Sequence, residues 1–352
     1  MMLLTKVRLS TSNFRIRKKS IFIFKSILFI IIFTFLESVI GSLLEPPTKS
    51  YVDFDPRIRW KDFYEQENID ILFLGSSHAY RSFNPENFDT ELKCNTFNLG
   101  SSSQSSIESY FALKETLRCY NPKLIVLENY WVLYEKRKTF DPATYVYDYL
   151  EFSPVKIDML INAFTPEEYL QAQFLSVRYH NNFKELKIIK ENVNNKLLDR
   201  KQLKIKRSKK GEAYTIKGYV SNENIATNKE LTEENYFKNL QPSEWNEKTF
   251  LYLNKIIMLC RENNIPILLV TAPLPPTTMQ MVNDYDSIHN KFRDIANQYE
   301  ITYVDYNLIN KDLRLLTDKH FKDDHHLNTG GANVMNKHLL NIIRPIFDEC
   351  NR

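Results

Sequence analysis

The sequence predicts an α/β protein: a mostly parallel sheet with helices on both faces, preceded by one transmembrane helix and carrying a large insertion. Three observations predict it. Short apolar runs alternate with amphipathic stretches, the pattern of strands joined by helical crossovers. A long apolar segment near the N-terminus follows a basic stretch. The strand–helix rhythm then stops at about residues 131–240 and resumes afterwards.

Residues 1–25 hold Lys6, Arg8, Arg15, Arg17, Lys18, Lys19 and Lys25 and no acid. Residues 21–44 are apolar apart from Lys25 and Glu37 near the ends, and are long enough as a helix to cross about 30 Å of hydrocarbon. Positive charge before the segment and little after it predicts the N-terminus inside and the rest outside. The competing reading, a cleaved signal peptide, lacks a small-x-small cleavage site, and the apolar run is long for one. Glu45-Pro46-Pro47 ends the helix.

The formal net charge of +4 is concentrated in that tail. With the tail set aside, acids outnumber bases, which argues against general nucleic-acid binding. At 352 residues, 43% of them hydrophobic, the chain can bury one large core. Of the four cysteines, Cys94 precedes a strand and Cys119 ends the following helix, so an antiparallel return predicts a Cys94–Cys119 disulfide. No Cys/His spacing suggests a metal site.

Strands are expected at residues 69–74, 96–99, 124–127, 265–270 and 301–304, each a short β-prone run. Helices are expected over 105–117, with Ile107, Tyr110, Phe111 and Leu113 on one side, over 243–260 with Ser243 as N-cap, and over 287–299 and 331–347. The insertion reads as partly helical (167–175 and 183–198) and holds a basic stretch from Lys196 to Lys210, read as solvated surface. There is no internal repeat.

In an open α/β sheet, sites gather at the carboxyl ends of strands. The first strand runs into Gly75-Ser76-Ser77-His78, the second into Gly100 and the polar run Ser101–Gln104, and the third into Glu128-Asn129-Tyr130. Near the far end lies Asp323-Asp324-His325-His326-Leu327-Asn328. A serine nucleophile needs a base within hydrogen-bond reach, a carboxylate behind that base and N–H donors for the oxyanion. Asp323 and His326, three apart, can meet within one turn.

These blocks, in this order, resemble those of the SGNH (GDSL-like) hydrolases. The likeness covers roughly residues 65–130 and 245–345. It implies Ser77 as nucleophile, Asp323 as acid and His326, rather than His325, as base. It also implies an oxyanion hole of the Ser77 and Gly100 N–H groups with Asn129. Two departures stand out: Ser76 sits where many members carry Asp, and Glu128-Asn129 replaces the usual Gly-x-Asn-Asp. His78 is read as structural, Ser101–Gln104 as capping, and Tyr130, Trp131 and Tyr134 as core.

The combination resembles the membrane-anchored envelope branch related to alginate acetylation and D-alanylation proteins. It implies a basic cytoplasmic tail (1–20), a transmembrane anchor (21–44) and an extracytoplasmic catalytic domain (45–352). The implied activity is ester hydrolysis or O-acyl, above all acetyl, transfer on an envelope polysaccharide, with no cofactor and with a membrane acyltransferase as partner. A non-catalytic glycan-binding or assembly protein on the same fold is the alternative.

Overall fold

The computed structural model describes residues 11–46, 56–135, 141–193, 211–240 and 244–350. In chain order the elements are α1 (Thr11–Leu44), α2 (Pro56–Tyr64), β1 (Ile71–Leu74), α3 (Ser77–Ser82), α4 (Pro85–Leu92), β2 (Thr96–Asn98), α5 (Ser106–Cys119) and β3 (Leu124–Glu128). The middle of the chain holds α6 (Asp141–Tyr147), α7 (Pro154–Ala163), α8 (Pro166–Gln173), α9 (Leu175–Arg178), α10 (Leu186–Asn192), β4 (Glu212–Tyr214), β5 (Val220–Asn222) and α11 (Asn228–Thr232). The last part holds α12 (Glu247–Glu262), β6 (Ile267–Thr271), α13 (Pro276–Met279), α14 (Tyr285–Gln298), β7 (Thr302–Asp305), α15 (Tyr306–Leu313) and α16 (Thr329–Cys350).

The chain divides into two compact units, Met1–Thr48 with Pro166–Gln202 and Lys49–Thr165 with Leu203–Arg352. The second unit holds a five-stranded parallel sheet in the order β2-β1-β3-β6-β7. Every residue of β1, β3 and β6 is buried, as strands covered by helices on both faces must be. On one face Phe73 packs against Phe83 and Phe88, with ring centroids 4.9 and 4.8 Å away. Met335, Leu339 and Ile343 of α16 join the same core.

The strand order places the site. From β1 the chain moves outward to the edge strand β2, then returns across β1 to β3 and continues the other way to β6 and β7. The connections therefore diverge between the carboxyl ends of β1 and β3, which opens a crevice there.

The same crossover rules out the expected disulfide, and all four cysteines are free thiols. Helix α5 delivers Cys119 to the start of β3, not back to β2. Two strand spacings, about 10 Å, separate those starts. Other boundaries also shift. Ser105 caps α5 in a full capping box with Glu108. Ser243 lies outside the described residues, and Asn246 caps α12. The basic stretch 196–210 is outside them too.

The insertion is not one body. Residues 166–202 go with α1, whereas β4 and β5 form an antiparallel hairpin belonging to the unit of the sheet. The hairpin turn covers the free edge of β2, where Asn98 N donates to Lys217 O at 2.9 Å. Gly218 sits there at φ +88°, and a Cβ on it would lie 1.7 Å from Asn98 O. Only glycine fits this contact.

Candidate active site

The turn after β1 is built around a buried carboxylate. Gly75 has φ +138°, and a Cβ there would lie 2.7 Å from Glu128 Cβ. Ser76 donates to Glu128 Oε2 from its N–H at 2.8 Å and from its hydroxyl at 2.7 Å. Its Oγ also accepts from His78 N at 3.1 Å, which makes Ser76 the N-cap of α3. Ser77 is thus the first residue of a helix locked to the neighbouring strand. Its own N–H has no acceptor among the described residues.

The loop before α16 supplies the rest. His326 Nε2 lies 2.8 Å from Ser77 Oγ, across 249 positions of sequence. His326 Nδ1 lies 3.0 Å from Asp323 Oδ2. Asp323 Oδ1 accepts the N–H groups of His326 at 2.7 Å and His325 at 3.1 Å, which shapes the loop around the carboxylate. His325 turns to a different acid, with Nδ1 2.6 Å from Asp324 Oδ1. The structure therefore brings Ser77, His326 and Asp323 together and sets His325 apart from the hydroxyl.

Burial works against the Asp323 carboxylate, but His326, His325 and Lys322 hold its pKa well below the usual range. His326 is lowered to about 3, chiefly by burial and against the pull of Asp323, so the imidazole rests neutral beside an anionic partner. His78 is buried and also held neutral by desolvation. Its ring packs 4.1 Å from that of Tyr130 and 4.9 Å from that of His326. One ring nitrogen each of His78, His325 and His326 falls within 4.8 Å of the others. Hydrogen bonds to Ser77, Asp323 and Asp324 already engage both nitrogens of His326 and Nδ1 of His325.

One of the expected oxyanion donors is directed elsewhere. Gly100 N donates to Asn98 Oδ1 at 3.1 Å. The Asn98 amide is fully buried and also donates to Ala79 O at 2.8 Å and Phe83 O at 2.9 Å. It needs an acceptor role for its oxygen, and the Gly100 N–H fills it. Asn129 is fully buried, and neither its amide nitrogen nor its amide oxygen has a hydrogen-bond partner among the described residues. Of the three expected donors, the Ser77 N–H and the Asn129 amide are left without an acceptor among the described residues.

Residues outside the expected set complete the site. Lys322 Nζ bridges Asp323 Oδ2 at 2.8 Å and Glu212 Oε1 at 2.9 Å. Glu212 Oε1 also pairs with Arg81 Nη1 of α3 at 2.7 Å. Glu212 lies on β4, so the insertion contributes directly to the charge network around Asp323. Nothing local in the sequence around Glu212 signals this, whereas Lys322 adjoins Asp323 and was open to notice. Tyr236 N donates to Asp324, a second tie from the insertion.

Glu128 makes a first test possible. Burial raises its pKa from 4.5 to about 7, against the two Ser76 hydrogen bonds. Its folded value exceeds its unfolded one, so the stability tied to it is complete below pH 4.5 and lost as pH rises through about 7. Glu128→Gln should fold, keep turnover and lose that pH dependence, read from denaturant midpoints at pH 5 and pH 8. Glu128→Ala leaves both Ser76 donors unpaired and should cost about 1.5–3 kcal/mol as well as activity.

The strand order, the seryl turn after β1 and the Asp-x-x-His loop before the last helix define the SGNH, GDSL-like hydrolase fold, an esterase-type fold. A family model matches residues 151–348, more than half of the chain. Among solved structures, a provisionally assigned acylhydrolase from Bacteroides fragilis is similar at 12% identity and a TM-score of 0.39, over 86% of this chain and 97% of that one. A GDSL-like lipase from Bacteroides thetaiotaomicron is similar at 12% identity and a TM-score of 0.36, over 78% of this chain and 88% of that one. No curated protein matches the chain.

Proposed function

We propose that this protein is a membrane-anchored serine esterase or O-acyltransferase acting on an acylated envelope glycan through an acyl-enzyme. The observation that carries the reading is the 2.8 Å contact between Ser77 Oγ and His326 Nε2, with Asp323 on the other ring nitrogen. The neutral imidazole takes the hydroxyl proton as Oγ adds to the acyl carbonyl. Charge develops on the carbonyl oxygen beside the Ser77 N–H, at the amino end of α3. The intermediate collapses, the protonated imidazole gives its proton to the departing alcohol oxygen, and the acyl group stays on Ser77. Water or a sugar hydroxyl, deprotonated by His326, then attacks the ester and restores Ser77.

Tyr236 supports a sugar-facing mouth. It is 46% exposed, and its ring lies 6.2 Å from that of His325. The amphipathic face of a tyrosine suits stacking against a sugar ring. The anchor is supported by α1, in which Lys19–Leu44 is long and apolar enough to span a bilayer. On this reading the catalytic unit works outside the cytoplasmic membrane, with a membrane acyltransferase as the source of acyl groups.

The test is a partition experiment with the purified full chain, an activated acetyl ester and an oligosaccharide acceptor, followed by mass spectrometry. Free acetate indicates hydrolysis, and acetylated sugar indicates transfer. Either product, dependent on Ser77, supports acyl-enzyme chemistry. Absence of both would overturn it in favour of a binding protein.

A further inference from the structure

The helices of the insertion that accompany α1 are seated along it over a well-defined stretch. Phe174, between α8 and α9, meets Phe33 edge-on with centroids 5.6 Å apart. Ser176 N donates to Glu37 Oε1 at 3.1 Å, so the one acid of the apolar run has a partner. Gly41 admits Leu175 so closely that a Cβ would lie 2.7 Å from Leu175 Cβ. At the end of α1, Asn182 Nδ2 donates to Leu44 O at 2.9 Å, and Asn192 Nδ2 to Leu43 O at 2.8 Å and Glu45 O at 2.6 Å. Two side chains thus cap carbonyls that a helix end leaves unpaired.

The depth of these contacts matters. The apolar run of 26 residues measures about 39 Å at 1.5 Å per residue, against about 30 Å of hydrocarbon. Centred, it leaves about 4 Å over at each end, so Phe33 lies about 12 Å and Glu37 about 6 Å below the outer boundary. A segment in contact with both is inside the outer leaflet. Its backbone is prepared for that. The α8 carbonyls of Gln171 and Ala172 accept from Arg178 at 2.9 and 3.2 Å, which spares them exposure to lipid. The protein leaves Leu170, Phe183 and Leu186 58%, 58% and 76% exposed.

We propose that α8–α10 form a collar around the outer end of α1 that is seated in the outer leaflet, with the lipid bilayer covering its exposed apolar side chains. This rests on the reading of α1 as a retained anchor, and it gives a reason for retention: cleavage would strip the collar of its partner. Such interfacial helices bury their apolar face about 5–10 Å into the headgroup and acyl boundary.

The experiment uses the full chain with Cys94→Ser, Cys119→Ser and Cys350→Ser, leaving the buried Cys260 in place. Leu170→Cys, Phe183→Cys, Leu186→Cys and, as an exposed control on α11, Glu230→Cys are added singly. Each variant is labelled with a charged maleimide in broken membranes open on both faces, and after denaturation in SDS. The three collar positions should label at least about tenfold more slowly than Glu230→Cys in membranes and equally in SDS. Labelling at the control rate in protein that resists carbonate extraction would overturn the collar and leave the anchor standing. Release of the protein by carbonate would overturn both.

Discussion

Ser77→Ala should lower ester turnover by about 10⁴-fold or more, because a residue acting as one unit with its base and acid takes most of the catalysis with it. The fold should survive. Ser77 is partly exposed and loses one hydrogen bond, to His326 Nε2 at 2.8 Å. That costs about 0.5–1.5 kcal/mol. The Ser76–Glu128 lock and the Ser76 cap that shape the turn are untouched. The checks are steady-state hydrolysis of an activated acetyl ester and a denaturant melt on the same preparation. Turnover within tenfold of wild type would remove Ser77 from the chemistry.

Asp323→Asn should cost about 10³–10⁴-fold in turnover, through the tautomer of His326 rather than through the fold. The carboxylate now accepts from His326 Nδ1, which leaves Nε2 bare to take the Ser77 proton. An asparagine amide facing Nδ1 donates instead and moves the ring proton to Nε2, where it blocks the transfer. The backbone contacts to Oδ1 from His325 and His326 can persist with the amide oxygen, so the loop should hold its shape. The ion pair with Lys322 weakens. The pH profile separates the two effects. His326 is lowered to about 3, mainly by burial, so wild-type kcat/KM should stay level from pH 8 to below pH 5 and fall only as the imidazole is protonated. Asp323→Asn should lower the whole profile and leave the unfolding free energy within about 1–2 kcal/mol of wild type. An acid limb near pH 6.5 in the wild type would mean that the base lies in a more solvated setting.

The sequence made most of the sheet legible because the parallel strands are short and buried on both sides. Runs such as Ile71–Leu74 and Ile267–Thr271 announce themselves by composition. The grouping of Ser77, Asp323 and His326 was legible for a related reason. Asp323 and His326 share one turn, and Ser77 follows a glycine at a strand end, so each half is local. Their meeting comes from the strand order and from α16. What escaped depends on contacts far apart in sequence. Gly100 looked like an oxyanion donor until Asn98, buried two residues earlier, claimed its N–H. Glu212 reaches Asp323 through Lys322 from a hairpin inside the insertion, where only helices were expected. The Cys94–Cys119 pairing failed because the return crossover skips a strand, which the spacing of the two cysteines does not reveal. Glu37 stood out only as a polar residue near the end of the apolar run, and its partner on α9 lies 139 positions away.

The most direct test of the central claim, a nucleophilic Ser77 activated by His326, is covalent capture by a fluorophosphonate. The purified chain is treated at neutral pH, its intact mass is measured and the modified peptide is sequenced. One phosphonyl group should be found on Ser77, absent in Ser77→Ala and added far more slowly to Asp323→Asn. An unmodified chain that still hydrolyses esters, or a phosphonyl group on a different residue, would contradict the account.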